Sequence, residues 1–342
     1  RLDVATQASN MSFSVQSADT GLEYNGTSLN QLFAQRRNLL RPSFHRMVRD
    51  ILRFYREAGE LLVGCDRSTT LGSYLADNCY SDEFVRDHII PMGSAVWSAD
   101  PVAMREFPAQ TFVRFFHNHG FLQHKQRPRW RVIQGGSQRY VEALIRPFAD
   151  RIRLNSPVES ISRYPDRVEI RAGNPELETY DEVIIAAHSD QALRILAEPT
   201  PAEKQILGAL RYQQNETVLH TDDKLLPRTK RAWASWNYHL PRQQSQAPTV
   251  TYNMNMLQTL DSPRPFCVSL NQTEHIDPSR ILARFNYAHP QFTVAGVEAQ
   301  SRWEEINGVN NTWFCGAYWR NGFHEDGVVS ALDVCKFFGK TL

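Results

Sequence analysis

No apolar run in the sequence approaches the ~18 residues that a membrane-spanning helix needs, and the N-terminus, Arg1-Leu2-Asp3, opens no signal peptide. Internal repeats and low-complexity tracts are absent. The five cysteines, Cys65, Cys79, Cys267, Cys315 and Cys335, form no Cys-x-x-Cys pair and are odd in number. That pattern predicts reduced thiols in a cytoplasmic protein rather than a disulfide framework. The Asn-x-Ser/Thr triplets at Asn25-Gly26-Thr27 and Asn271-Gln272-Thr273 are read as chance matches without a secretory signal. A surplus of one charge is missing too: 38 Lys plus Arg face 37 Asp plus Glu, which predicts no nucleic-acid partner. No catalytic triad, metal-ligand set or convincing carboxylate pair stands out, so no residue is assigned as catalytic and no metal is predicted. Arg1 is not a natural initiator and the first methionine is Met11, so the chain reads as truncated at its start.

What is present is a large folded core: 42% of the 342 residues are apolar, enough for one large or two ordinary domains. The most informative stretch is the last. Trp313-Phe314-Cys315 reads as a short buried strand ending at Gly316. A loop with Gly322 and Gly327 follows, then a helix with Val328, Ala331, Leu332, Cys335 and Phe338 at helical spacing. Strand, glycine and helix in that order bring backbone N–H groups to a ligand at a helix N-terminus. An ordinary strand–loop–helix whose glycines only shape turns has the same pattern.

Earlier in the chain, Met11–Val15 alternates as a strand and Leu22–Tyr24 as a second, a pair suited to a small sheet lining a substrate cavity. Ser43–Tyr55 predicts an amphipathic helix with Phe44, Met47, Val48, Ile51, Leu52 and Tyr55 on one face. Arg46, Arg49, Arg53 and Arg56 lie opposite, a solvated face or a surface for anionic membranes or ligands. Thr69 or Thr70 and Ser81 read as helix starts, with Pro91, Pro101 and Pro108 as punctuation. His117, His119 and His124 raise a metal hypothesis but lack a Cys or carboxylate at ligand spacing, and read as satisfied polar histidines. Trp130–Leu144 predicts a strand, the Gly135-Gly136 pair, and a helix with Tyr140, Val141, Leu144 and Ile145 inward. Ile152–Leu154, Val158–Ile161 and Val168–Ile170 read as three short strands, and Tyr180–His188 as a parallel strand buried on both faces. Thr217–His220, Trp233–Trp236, Val250–Tyr252 and Phe266–Leu270 read as one antiparallel sheet. Its aromatics Trp233, Trp236, Tyr238, Tyr252 and Phe266 form either a sheet core or the lining of an apolar cavity.

The segment FCGAYWRNGFHEDGVVSAL, from Phe314, resembles the C-terminal flavin-contacting segment of the flavin-containing amine oxidase superfamily, closest to a bacterial branch of NAD/FAD-binding, amine-oxidase-like proteins. Gly135-Gly136 and Tyr180–His188 resemble the family's internal segments, so the likeness covers nearly the whole chain. It implies an α/β fold (α+β overall): an FAD/NAD(P)-binding Rossmann-like domain interleaved with a substrate domain of antiparallel sheet and helices. The implied division is 1–10, 131–190 and 300–342 for the FAD-binding domain. The remaining 11–130 and 191–299 form the substrate-binding domain with its helical subdomain. FAD is the implied cofactor, with contacts at Gly316, Ala317, Phe323, His324, Asp326, Gly327 and Val328 and through the main chain at Val158. Tyr318, Trp319 or Phe323 would face the flavin, and Lys125 is the nearest candidate for the family's N5-side lysine.

The family's G-x-G-x-x-G unit is absent from these residues, so FAD binding by a chain starting at Arg1 is expected to be weak or lost. The final loop also departs, with one extra residue between Gly322 and Gly327. Glu325 and Asp326 suit helix capping or ribityl hydroxyls better than phosphate. The implied activity is hydride transfer from an amine or apolar C–H substrate to flavin N5. The alternatives are a flavin-dependent fatty-acid double-bond isomerase or desaturase-like enzyme, and a non-catalytic lipid- or membrane-surface module. The expected partner is a small molecule, apolar or fatty-acyl, with peripheral membrane contact as a further option.

Overall fold

The computed structural model describes residues 2–63, 68–122, 129–173, 176–242 and 247–341. The chain divides into two units, Arg1–Ala149 with Gln213–His289, and Asp150–Tyr212 with Pro290–Leu342. The first is built on a seven-stranded sheet. Its order is Ile281–Gln291, Arg211–His220, Cys267–Leu270, Val250–Asn253, Trp236–Leu240, Phe13–Ser17 and Glu23–Asn25. The two N-terminal strands therefore form no small sheet of their own. Phe13–Ser17 pairs in parallel with Trp236–Leu240, Phe13 opposite Trp236, and joins the edge of the large sheet. The predicted Trp233–Trp236 strand begins only at Trp236. Before it, the Asn237 side chain accepts from the Ala234 N–H at 3.0 Å and donates to the Ala234 carbonyl at 2.6 Å, taking the place of a ladder partner.

Register gives the two faces of this sheet different chemistry. Val15, Tyr24, Trp236, Tyr238, Val250 and Tyr252 share one face. Ser14, Asn237, Thr251 and Ser269 share the other, where hydroxyls and amides satisfy one another: Ser14 to Asn237 at 2.8 Å and Thr251 to Ser269 at 2.7 Å. Helices cover the apolar face. The Tyr24 ring meets Phe44 edge-on at 5.9 Å, and the Tyr252 hydroxyl donates to the Ala95 carbonyl at 3.5 Å.

Pro42–Glu57 is a helix with Pro42 in its first turn. Its buried stripe is Phe44, Met47, Ile51 and Phe54; Leu52 turns out to solvent, 49% exposed, because Phe54, two turns beyond Met47, holds the inward position. Of the arginines opposite, Arg46 pairs with Glu83, and Arg53 donates to Glu57 and to the Asn78 carbonyl, both at 2.8 Å. Thr70 caps the Leu71–Asp77 helix, accepting from the Ser73 N–H at 3.2 Å. From Asp82 the chain continues as Asp82–Phe84, a π-turn Val85–Ile89 and the helix Ile90–Trp97. Pro91 explains the π-turn. Its ring displaces the carbonyl four residues back, that of Asp87, which accepts the Tyr24 hydroxyl at 2.8 Å instead. Aromatics fill the rest of this layer, Phe112 stacking on Phe116 at 4.1 Å and Trp97 against Phe107 at 4.5 Å.

Gly135 and Gly136 follow the Arg131–Ile133 strand with φ of 81° and 87°, backbone that side chains resist. The helix after them, Gln138–Ile145, buries none of its residues, and Val141 and Leu144 are exposed, contrary to the inward stripe its spacing predicts.

The second unit holds a three-stranded antiparallel sheet, Val158–Arg163, Val168–Ala172 and Leu177–Tyr180, and a parallel pair, Val183–Ile185 with Thr312–Phe314. Ile152–Leu154 is not a strand; the left-handed Asn155 at φ 54° breaks the chain there, and Leu177–Tyr180 supplies the third strand. Val183–Ile185 is parallel as its sequence predicts but buried on one side only: Ile185 is 4% exposed and Ile184 47%. The core gathers Ile161, Val168, Ile185, Ile206, Leu207 and Phe314. Within it Arg163 and Glu203, nearly inaccessible, form an ion pair with one contact at 3.0 Å, and Glu203 also accepts from the Thr200 N–H at 2.7 Å.

Candidate functional site

The Thr312–Phe314 strand is fully buried because it is flanked on the polar side by backbone and on both faces by rings. The Trp303 indole donates to the Phe314 carbonyl at 3.1 Å, and the Trp313 indole donates to Glu182 at 2.8 Å. At its end the Cys315 N–H still reaches the Ile185 carbonyl at 3.1 Å, after which the chain turns at Gly316. Two contacts fix Gly316. Its N–H donates to the Ser330 hydroxyl at 3.0 Å, and a Cβ there would stand 2.5 Å from the Tyr318 ring. Only glycine fits without moving that ring.

A short 3₁₀ turn, Ala317–Trp319, follows, and Gln300 holds it by donating to the Tyr318 and Arg320 carbonyls, both at 2.7 Å. Gly322, at φ 91°, redirects the chain into the helix His324–Phe337. Asp326 caps that helix, one carboxylate oxygen accepting from the Phe323 N–H at 3.0 Å and the other from the Asn321 amide at 3.4 Å. The first turn thus comes back against the strand end: a Cβ on Gly327 would lie 3.9 Å from the Ala317 nitrogen. Gly316, Ala317, Phe323, Asp326 and Gly327 are brought into one junction, with Val328 45% exposed beside it.

The electrostatics of the junction are mixed. The first N–H groups of a helix carry partial positive charge and have no intrahelical acceptor. Glu325 and Asp326 stand in that same turn. Such an end suits hydroxyls and the polar edge of a heterocycle better than a phosphate. Other groups are chemically quiet: burial pushes the Cys315 thiol up, with Cys335 adding to it, and burial with Tyr212 beyond it holds the Tyr318 phenol well above its usual range.

One expectation for the site does not hold. Tyr318 and Trp319 are core residues, 3% and 7% exposed, packed among Ile185, Leu196 and Phe314 rather than facing open space, because the 3₁₀ turn folds them inward. Among the described residues, the Tyr318 hydroxyl and Trp319 indole nitrogen are buried there without a hydrogen-bond partner. Val158 lies on the other sheet, at the start of its strand. The register slips by one residue between Val158 and Ser160, a bulge that leaves backbone groups at that end outside the ladder. Lys125, His124 and Cys65 lie outside the described residues. His119 is engaged by its own helix, its Nδ1 2.8 Å from the Phe115 carbonyl and its ring stacked on Phe115. Ser330 is the member of the junction that its spacing conceals; one turn beyond Gly327, it reads as an ordinary helix residue.

A family model for flavin-containing amine oxidoreductases matches residues 18–261. No curated protein matches the chain. Among solved structures, the chain is similar to wild-type putrescine oxidase bound to putrescine, at 13% identity and a TM-score of 0.65, covering 99% of this chain and 84% of that one. Cyclohexylamine oxidase from Brevibacterium oxydans gives 14% identity and a TM-score of 0.64 over the same shares, 99% and 84%. A fatty acid isomerase from P. acnes that produces CLA gives 13% and 0.65, covering 99% of this chain and 81% of that one. At these identities the structures speak for the fold, a mixed α/β architecture of the Rossmann-like flavoprotein type. The family rests on the sequence match, which spans well over half the residues: the chain belongs to the flavin-containing amine oxidoreductases.

Proposed function

We propose that the protein is an FAD-dependent oxidoreductase that removes hydride from the carbon beside an amine nitrogen. The observation that carries this is the junction at Gly316, in a chain of the amine oxidoreductase family: a parallel strand, a glycine with no room for a side chain, and a helix whose first turn returns to the strand end. The residues present fit a flavin. Gly327 keeps a side chain out of the space beside the Ala317 nitrogen, and the helix N-terminus of His324–Phe337 presents donors. Ala317, Phe323, His324, Asp326, Gly327 and Val328 would hold the ring and ribityl part. The main chain at the Val158 bulge is suited to the adenine.

Bound there, the flavin would accept hydride at N5. The chain's own contribution is orientation. Ser330 fixes the Gly316 N–H, Gln300 fixes the carbonyls of the turn, and Asp326 holds the loop before the helix, so the backbone of the junction is set without reorganisation. Acidic residues in the first turn disfavour a second negative group at that end, which supports the assignment of ring and ribityl rather than pyrophosphate.

Supplying amines and unsaturated fatty acids separately to the flavin-loaded protein under nitrogen tests the proposal. Bleaching of the visible flavin band by amines supports it, and bleaching by fatty acids alone would overturn it.

A further inference from the structure

The first unit holds a pocket lined by its own residues. It lies between the C-terminal end of the Trp236–Leu240 strand and the π-turn, with a volume of about 320 Å³. That falls at the small end of ligand cavities, roughly 300–1,000 Å³. Ile90, Pro91, Tyr238 and Leu240 form an apolar wall, and Thr20 and Thr249 join them in the lining.

Three arginines face it. Arg86 is already spoken for: Asp87 holds it through two contacts, 2.7 and 2.6 Å, so it serves as a neutralised wall. Arg105 and Arg242 have no carboxylate partner among the described residues, yet both line the same cavity. Asp19 is the one unpaired carboxylate there, so unpaired charge in the pocket is two positive against one negative.

A second feature points to the same place. The helix is locally rewound at Val85–Ile89, and π-turns of this kind occur often at functional sites. Here the turn sets Arg86 in the pocket wall and Ile90 and Pro91 just beyond it. The result is a pocket with an apolar wall and guanidinium groups in its lining, and a guanidinium matches a carboxylate with paired, charge-assisted hydrogen bonds.

We propose that this pocket binds a small amphiphilic carboxylate, its acid group at Arg105 and Arg242 and its chain against Ile90, Pro91, Tyr238 and Leu240. The site is read from the first unit alone and does not depend on the flavin proposal.

Calorimetric titration of the full-length protein with decanoate, decanol and decylamine at low salt tests it. Decanoate binds, decanol binds at least about tenfold more weakly, and decylamine gives no heat. The double variant Arg105→Gln, Arg242→Gln weakens decanoate about tenfold or more. Asp19→Asn removes a repelling charge and tightens it by about twofold to fivefold. All three positions are exposed, and matching thermal melts confirm that the variants fold. Failure of decanoate to bind, or equal binding to the double variant, overturns the proposal. The latter would be seen if decanoate bound only at the flavin site, which leaves those arginines unused.

Discussion

Gly316 shows how much one missing methyl can decide. A Cβ at this position meets the Tyr318 ring at 2.5 Å, and that ring is 3% exposed inside the core, with little room to retreat. Gly316→Ala should therefore cost about 1–3 kcal/mol of stability, as overpacking does, and lower the flavin retained on purification. Urea unfolding with parallel flavin absorbance checks both, and an unchanged midpoint would mean that the Tyr318 ring moves freely. His88 gives a prediction of another kind. It is 3% exposed, burial pushes its pKa down to about 3, and Tyr24 lies 2.9 Å from its Nδ1. Because the Tyr24 hydrogen goes to the Asp87 carbonyl, Nδ1 is the donor of that pair and the ring is neutral. Above about pH 6.5 neither folded nor unfolded chain charges this ring. Below it the unfolded chain takes up a proton that the folded one refuses. Stability then falls by up to about 1.4 kcal/mol per pH unit as pH drops toward 3. Replacing the ring by His88→Gln should flatten that acid limb, measured as unfolding midpoint against pH.

Among the elements, the ion pair of Arg163 and Glu203 joins a strand to the N-terminus of the Pro201–Ala209 helix. Both side chains are out of water, so Glu203→Ala would strand a buried guanidinium and also remove the acceptor of the Thr200 N–H. The expected loss is about 3–5 kcal/mol, with Glu203→Gln losing less because it still accepts from Thr200; equilibrium denaturation of both variants compares them. Nothing in sequence spacing marks that pair, since its members are 40 residues apart. Local periodicity was readable where one element decides its own burial: the Pro42–Glu57 stripe, the Thr70 cap, the parallel Val183–Ile185 strand. It failed where a distant partner decides. Phe13–Ser17 takes its place in the large sheet from Trp236–Leu240, more than two hundred residues away, and Tyr318 is turned inward by a 3₁₀ turn its own residues do not announce.

For the whole molecule, the strand–glycine–helix order at Gly316 was legible because glycine and helical spacing are local signals. The ties that hold the junction, from Ser330 and Gln300, were not, because each depends on how separate segments pack. No helix among the described residues is long and apolar enough to cross a membrane. The family membership makes hydride transfer to a flavin the central claim, and the amine its first substrate class. The most direct measurement is an anaerobic titration of the flavin-loaded protein with a series of primary amines. The visible flavin band should bleach with saturable dependence on amine and return on admitting air. A band that persists with every amine, while an unsaturated fatty acid bleaches it or emerges isomerised, would contradict it.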